Sequence, residues 1–321
     1  MFAEDLLQDL RRDGYSPAAI ATYVRRIGSR VAQRMPRHPE LVRSVAGTAF
    51  VLFALQFGAA LLLSWGIGRQ LGVTYLVVSS LVLLCTCFWV LIHLGLIQGA
   101  RDPEGVPPLR YVPIPIGLTM LRLVSIPAIV LLIGINRWSL VVWLYAASAF
   151  TDILDGLLAR AFRSETRIGV VLDPLTDIVF NASVFVALAD AGEIPWWVTG
   201  LVLARYGLLV FGTFALYVFH GPVRIQPTGF GKLTGVLSTV LLGLLLLGLA
   251  YWPPGLLLRL KEVFDVGLGL MALATIIQVI FIGLDNLKVS RPAPEEAPAR
   301  VSAEGAERPS KVVGEIRPPR R

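Results

Sequence analysis

The feature that most restricts this chain is a series of apolar stretches too long for a soluble protein. Runs of 18 or more largely uncharged residues recur along it, and about 20 helical residues cross a hydrocarbon core ~30 Å thick. They mark eight spans, approximately 47–68, 73–97, 113–134, 138–161, 168–190, 194–219, 231–252 and 263–284. The expected fold is an all-α polytopic membrane protein. Composition agrees, since 55% of the 321 residues are hydrophobic and only 16% are charged, against about 25% charged in an ordinary soluble domain.

The remaining charge is distributed in a way that orients the chain. With both termini in the cytoplasm, 23 of the 29 Lys and Arg fall on the inner side, in the N-terminal segment, three loops and the tail. The outer side holds only Arg69, Arg137, Arg259 and Lys261, as the positive-inside rule expects. Arg122 and Arg205 belong to neither side, because they lie within spans, and they require a separate explanation. A net charge of +7 could suit nucleic acid, but these cations flank membrane segments, so anionic lipid head groups are the better partner. Cys85 and Cys87 are one residue apart in one apolar stretch and cannot pair within a helix, so they read as small apolar filler. Glu4, Asp5, Asp9, Arg11, Arg12 and Asp13 leave no apolar core for a secretory leader.

Residues 1–45 read as an amphipathic segment. Ser16-Pro17 is an N-cap and first-turn pair, followed by Ile20, Tyr23, Val24 and Ile27 interleaved with Arg25, Arg26, Arg30 and Arg34. Such a helix suits a membrane surface, or else packs, solvated, on the cytoplasmic face. Residues 46–111 form an extra two-helix membrane segment in which Phe50, Leu55, Phe57 and Leu61–Leu63 face lipid or pack. The Pro, Glu, Ala and Arg content of 286–321 gives a disordered basic tail.

Ionisable residues inside a span cost at least ~2.5–3.5 kcal/mol on insertion scales, so they are functional candidates by default. Four acids fall in two consecutive spans: Asp152 and Asp155 near the end of one, Asp173 and Asp177 near the start of the next. Positions 152, 155, 156 and 159 share one helix face, and 169, 173 and 177 share another. Asp152 lies eight residues before Arg160, about 12 Å, and Asp173 six after Arg167, about 9 Å. A short hairpin between the spans is expected to gather all four acids just inside the cytoplasmic boundary. Crowded carboxylates in low dielectric need cations to stay ionised. Oxygen-only ligands select hard ions such as Mg²⁺, Mn²⁺ or Ca²⁺, and two of these could clamp a pyrophosphate. Gly156, Gly169 and Ala159 keep the same faces small, and Arg160 at the rim could grip a phosphate. Pro174 reads as a kink beside the site.

The spaced set Asp152-x2-Asp155-Gly156-x2-Ala159-Arg160-x8-Gly169-x3-Asp173-x3-Asp177 resembles the complete signature of the CDP-alcohol phosphotransferase family. The resemblance covers roughly residues 112–285, which would be a six-helix catalytic membrane core, with the two N-terminal spans as an addition. It implies that Asp152, Asp155, Asp173 and Asp177 hold two divalent cations, Mg²⁺ or Mn²⁺, and that Asp177 also serves as general base on an acceptor hydroxyl. Gly156, Ala159, Arg160 and Gly169 would line the CDP site, with Thr151 a neighbour. The acceptor oxygen would attack the donor's β-phosphate and release CMP. The family also implies a homodimer, and phospholipid biosynthesis in the cell membrane with the active site cytoplasmic.

Arg163, Arg167, Arg205, Arg224 and Lys232 cluster near the mouth of this site and would suit an acceptor bearing a phosphate, such as glycerol 3-phosphate. Arg163 and Arg224 fit the ordinary inward bias of positive charge equally well. The stretch 112–127, including Pro113, Arg122 and Pro127, is similar to the first core helix of phosphatidylglycerophosphate synthases, as are Leu172-Asp173-Pro174 and Gly231-Lys232. That subgroup usually carries Lys where Ile178 stands and Glu where Tyr206 stands, which leaves cardiolipin synthase, phosphatidylinositol-phosphate synthase and other acceptors open. A transporter would show inverted repeats with polar residues in both halves, whereas here the acids concentrate in one hairpin. A non-catalytic scaffold would tolerate losses from the signature, and none is lost.

Overall fold

The computed structural model describes residues 12, 14, 16–34, 38–97, 109–161, 166–220 and 229–289. Nine α-helices account for nearly all of them: α1 Pro17–Arg34, α2 Pro39–Gly66, α3 Arg69–Ile92, α4 Ile114–Gly134, α5 Trp138–Ala161, α6 Arg167–Asp190, α7 Trp196–His220, α8 Gly229–Tyr251 and α9 Pro254–Val289. Helices α2 to α9 are each long and apolar enough to cross a membrane. In lipid a backbone must satisfy its own N–H and C=O groups, which a helix does within one segment. The number of spans matches the sequence pattern, but two helices begin a full two turns or more before the expected span. Helix α2 starts at Pro39 and α9 at Pro254, because Pro is tolerated in the first turn and presets its φ, while apolarity alone marks only the hydrocarbon-crossing part.

Four tight connections lie at one end of the bundle: 67–68 between α2 and α3, 135–137 between α4 and α5, 191–195 between α6 and α7, and 252–253 between α8 and α9. Each makes an antiparallel pair. At 135–137, Asn136 adopts φ 57°, and Arg137 N–H reaches back to Leu132 O at 2.9 Å, a left-handed cap that satisfies carbonyls the helix end leaves over. At 191–195, Gly192 has φ 74°, and Lys261 of α9 closes the turn with contacts to Gly192 O at 3.3 Å and Glu193 at 2.9 Å. Ser16 Oγ accepts from Ala19 N–H at 3.2 Å as α1 begins, the N-cap expected there.

Helix α4 is the centre of the molecule. The hydrophobic cluster that joins it to α5–α9 includes Ile129, Ile133, Val141, Val184, Leu188, Leu242 and Leu268. A second cluster, around Leu41, Leu83, Val90, Met120 and Leu172, joins it to α2 and α3. The N-terminal pair is thus docked on the core through α3 and α4. Helices α2 and α3 approach each other so closely that a Cβ on Gly72 would overlap Ala60 O and Ser64. Phe50, Leu55, Phe57, Leu61 and Leu62 are exposed, as expected of a lipid-facing surface, whereas Leu63 packs against the core.

Candidate functional site

Helices α5 and α6, which carry the four acids, pack far more against α4 than against each other. The expected hairpin is therefore not what gathers the carboxylates. A third helix stands between them, and its Arg122 makes the connection. The Arg122 side chain is 2% exposed. Its Nη1 lies 2.7 Å from Asp152 Oδ1 and 2.6 Å from Asp177 Oδ1, and its Nη2 donates to Asp155 Oδ2 at 2.6 Å. One turn earlier on α4, Thr119 Oγ1 donates to Asp173 Oδ1 at 2.9 Å. All four acids thus converge on one face of α4. Asp155 is buried, while the side chains of Asp152 and Asp177 are 47% and 49% exposed.

Arg122 and Thr119 contact the acids, and neither carries a site role in the sequence pattern. Arg122 left two signals, a cation stranded in an apolar span and a place in the 112–127 stretch that resembles the first core helix of phosphatidylglycerophosphate synthases. Thr119 left none of its own, because a Thr in a span commonly bonds its own helix.

The small residues of the signature do more than clear space. Arg160 is exposed at the end of α5, with its guanidinium folded back over Gly156. A Cβ on Gly156 would come within 3.5–3.7 Å of its terminal nitrogens. At the start of α6, the buried Thr166 is the N-cap, and its Oγ1 accepts from Gly169 N–H at 3.1 Å. A Cβ on Gly169 would sit 3.1 Å from that oxygen, so glycine also protects the cap that starts the acid-bearing helix. Ala159 is partly buried on α5. Thr151 spends its hydroxyl proton on Ser148 O at 2.8 Å.

A cavity of about 580 Å³ opens beside the acids. Asp152 and Asp177 line one side, Arg205 and Tyr206 of α7 another, and Ser238 and Thr239 of α8 the polar remainder, with Phe185, Val202 and Leu268 among its apolar walls. The Arg205 guanidinium stands 5.2 Å from the Tyr206 ring centroid. Of the acceptor candidates, Arg205 is thus brought to the acids. Arg167 is partly buried and engaged in a contact of its own, and is not among the residues lining this cavity. Arg163, Arg224 and the Lys232 side chain lie outside the described residues, as does almost all of the 286–321 tail. Among the described residues, no group of three His, Cys, Asp or Glu side chains is spaced to hold a single ion as it stands; the guanidinium lies between the acids.

A polytopic helical bundle with paired acids on two neighbouring spans and a cavity beside them defines a membrane-embedded enzyme class. The family model for CDP-alcohol phosphatidyltransferase matches residues 112–281, more than half of the chain, and the protein belongs to that family. Over 140 residues it is 36% identical to a probable phosphatidylglycerophosphate synthase of Mycobacterium tuberculosis strain H37Rv, covering 41% of this chain and 65% of that protein. A putative cardiolipin synthase of the same strain is 32% identical over 126 residues, 38% of this chain and 59% of the relative. The human CMP-forming cardiolipin synthase is 30% identical over 133 residues, 40% and 42% of the two chains. This chain thus spans less than two thirds of the length of these relatives. No solved structure gives a match.

Proposed function

We propose that the protein transfers a phosphatidyl group from a CDP-linked donor such as CDP-diacylglycerol to an alcohol, releasing CMP, in phospholipid biosynthesis. The observation that carries this is the convergence of four carboxylates from two helices at the edge of a cavity that also holds Arg205. The acceptor oxygen forms a bond to the donor's β-phosphorus, the bridging P–O bond of the pyrophosphate breaks, and its electrons leave with CMP. The hydroxyl proton goes to Asp177, which lines the cavity and whose Oδ1 is held by Arg122, leaving Oδ2 to act as the base. Thr151, Gly156, Ala159, Arg160 and Gly169 lie on the two acid-bearing helices, where the nucleotide binds, with Arg160 on its phosphates. Arg205 takes a phosphate of the acceptor, which favours glycerol 3-phosphate, and this accords with the name of the mycobacterial relative.

The donor set fits divalent ions. Every ligand offered is a carboxylate oxygen, the hard type that Mg²⁺ and Mn²⁺ prefer. Four ionised carboxylates against the single guanidinium buried among them leave three negative charges over, and one oxygen of each acid is not spent on Arg122 or Thr119. Asp152, Asp155, Asp173 and Asp177 would hold two such ions. Bound there, they would neutralise the charge that develops on the pyrophosphate.

The apolar walls formed by Phe185, Val202 and Leu268 favour a second reading, in which the acceptor is itself a lipid such as phosphatidylglycerol. The inositol-phosphate acceptor has no separate support in the cavity. CMP release by the full chain in detergent decides, with CDP-diacylglycerol, Mg²⁺ or Mn²⁺, and glycerol 3-phosphate, phosphatidylglycerol, inositol phosphate, serine or choline supplied in turn. Glycerol 3-phosphate should give the fastest release, and EDTA should stop it. Release with no alcohol overturns the transferase assignment, and release with phosphatidylglycerol alone moves the protein to the cardiolipin branch. The lipid bilayer is the working environment, and we place the protein in the cell membrane with both termini and the acids on the cytoplasmic side. A homodimer is expected, and mass photometry of the detergent-purified chain would show it as a doubled mass.

A further inference from the structure

Arg122 is almost wholly buried in the most enclosed helix of the bundle, yet three of its contacts are with acids of two other helices. A buried arginine paired with a single acid would be an ordinary structural ion pair. This one is shared: Nη1 bridges Asp152 of α5 and Asp177 of α6, while Nη2 holds Asp155. Among the described residues its Nε has no hydrogen-bond partner, so its hydrogen bonds to other side chains go to the acids it grips. Gathered around it, no three of the described acids are spaced for one ion as they stand.

We propose that Arg122 is a positioning residue that acts as the acid cluster's own counter-cation. It holds Asp152, Asp155 and Asp177 together before ions load, and it competes with divalent ions for the charge of the same carboxylates, so that loading requires its release. This rests on the reading of the acids as a divalent-cation site. Two cationic groups drawn to the same carboxylates repel each other, and beside a guanidinium buried to 2% exposure that repulsion is stronger than in bulk solvent. One of them must then give way. The guanidinium is tethered by a flexible stem and can do so, whereas the acids are set on helix backbones.

The test uses the full chain in detergent, with Mn²⁺ alone as probe. In the wild-type protein, phenylglyoxal modification is followed at Arg122 by peptide mass spectrometry, with Arg137 at the far turn as control. Arg122 should be protected without Mn²⁺ and modified about fivefold faster or more at saturating Mn²⁺, while Arg137 is unchanged; a smaller rate change would mean the side chain stays in its ion pairs. Electron paramagnetic resonance gives the Mn²⁺ affinity of Arg122→Gln and Arg122→Lys. Removing the competing charge should tighten Mn²⁺ binding about fivefold or more in Arg122→Gln, with Arg122→Lys close to wild type. A purely structural role predicts no tightening and no change in modification, and either result overturns the proposal. If Arg122→Gln does not fold, the wild-type modification experiment decides alone. Failure of the wild type to bind Mn²⁺ overturns both this proposal and the metal reading, whereas binding with Arg122 still protected overturns this proposal only.

Discussion

Each of the four acids has something different left to give once its contact with α4 is made. Asp155 is buried against Nη2 of Arg122, and Asp173 is tied to Thr119, so both are anchored parts of the site. Asp152 and Asp177 are half exposed and line the cavity, which places them where an acceptor can reach. Asp177→Asn should therefore lower CMP release by about 10²-fold or more, the usual weight of a general base, without loss of thermal stability, because it relieves repulsion among like charges. Asp155→Asn removes a buried partner of Arg122 and should lower the unfolding midpoint as well, by an amount corresponding to about 3 kcal/mol. Equal midpoints for the two variants in a thermal melt would contradict this division of roles. The acids themselves were legible because a carboxylate in an apolar run is rare and costly. Arg122 was legible as an anomaly and as part of a family-like stretch, but its contacts were not. Its partners lie 30, 33 and 55 positions away, and no local period encodes a contact at such separations.

The same division between what is local and what is not holds for the helices. The shared faces 152–155–156–159 and 169–173–177 follow from 3.6 residues per turn, and the structure turns both faces towards one place. Which helix fills the space between them depends on packing, and sequence adjacency pointed to the α5–α6 hairpin when α4 is the true neighbour of both. The N-terminal pair docks mainly on α4, and its buried residues share a cluster with Ile168 and Leu172 at the start of the acid-bearing α6. Its tightest point is Gly72, where small residues let two membrane helices approach closely. Gly72→Leu should force α2 and α3 apart and lower stability by about 1–3 kcal/mol, the usual cost of overpacking, read as a shift in the thermal unfolding midpoint in detergent. A midpoint unchanged within error would mean that α2 and α3 do not stay in contact in the folded protein.

Across the whole molecule, the tight turns and the acids lie at opposite ends. The four short connections gather at one end, and the acids lie towards the other, where α5 gives way to α6. The sequence places 23 of 29 Lys and Arg at the acid end, and moving that many cations across a membrane would be opposed by the positive-inside bias. A nucleotide-linked head group is charged and approaches from water, so the side on which the acids open decides which compartment must supply it. Single cysteines placed in a Cys85→Ala/Cys87→Ala background distinguish the two orientations in intact bacterial cells. Arg137→Cys, exposed at the α4–α5 turn, should react with a membrane-impermeant maleimide added outside. Arg110→Cys, exposed just before α4 at the acid end, should react only after the cells are made permeable. The reverse pattern would put the carboxylates on the outer face, where a cytosolic CDP-linked donor could not reach them, and the transferase assignment would then have to be abandoned together with the orientation.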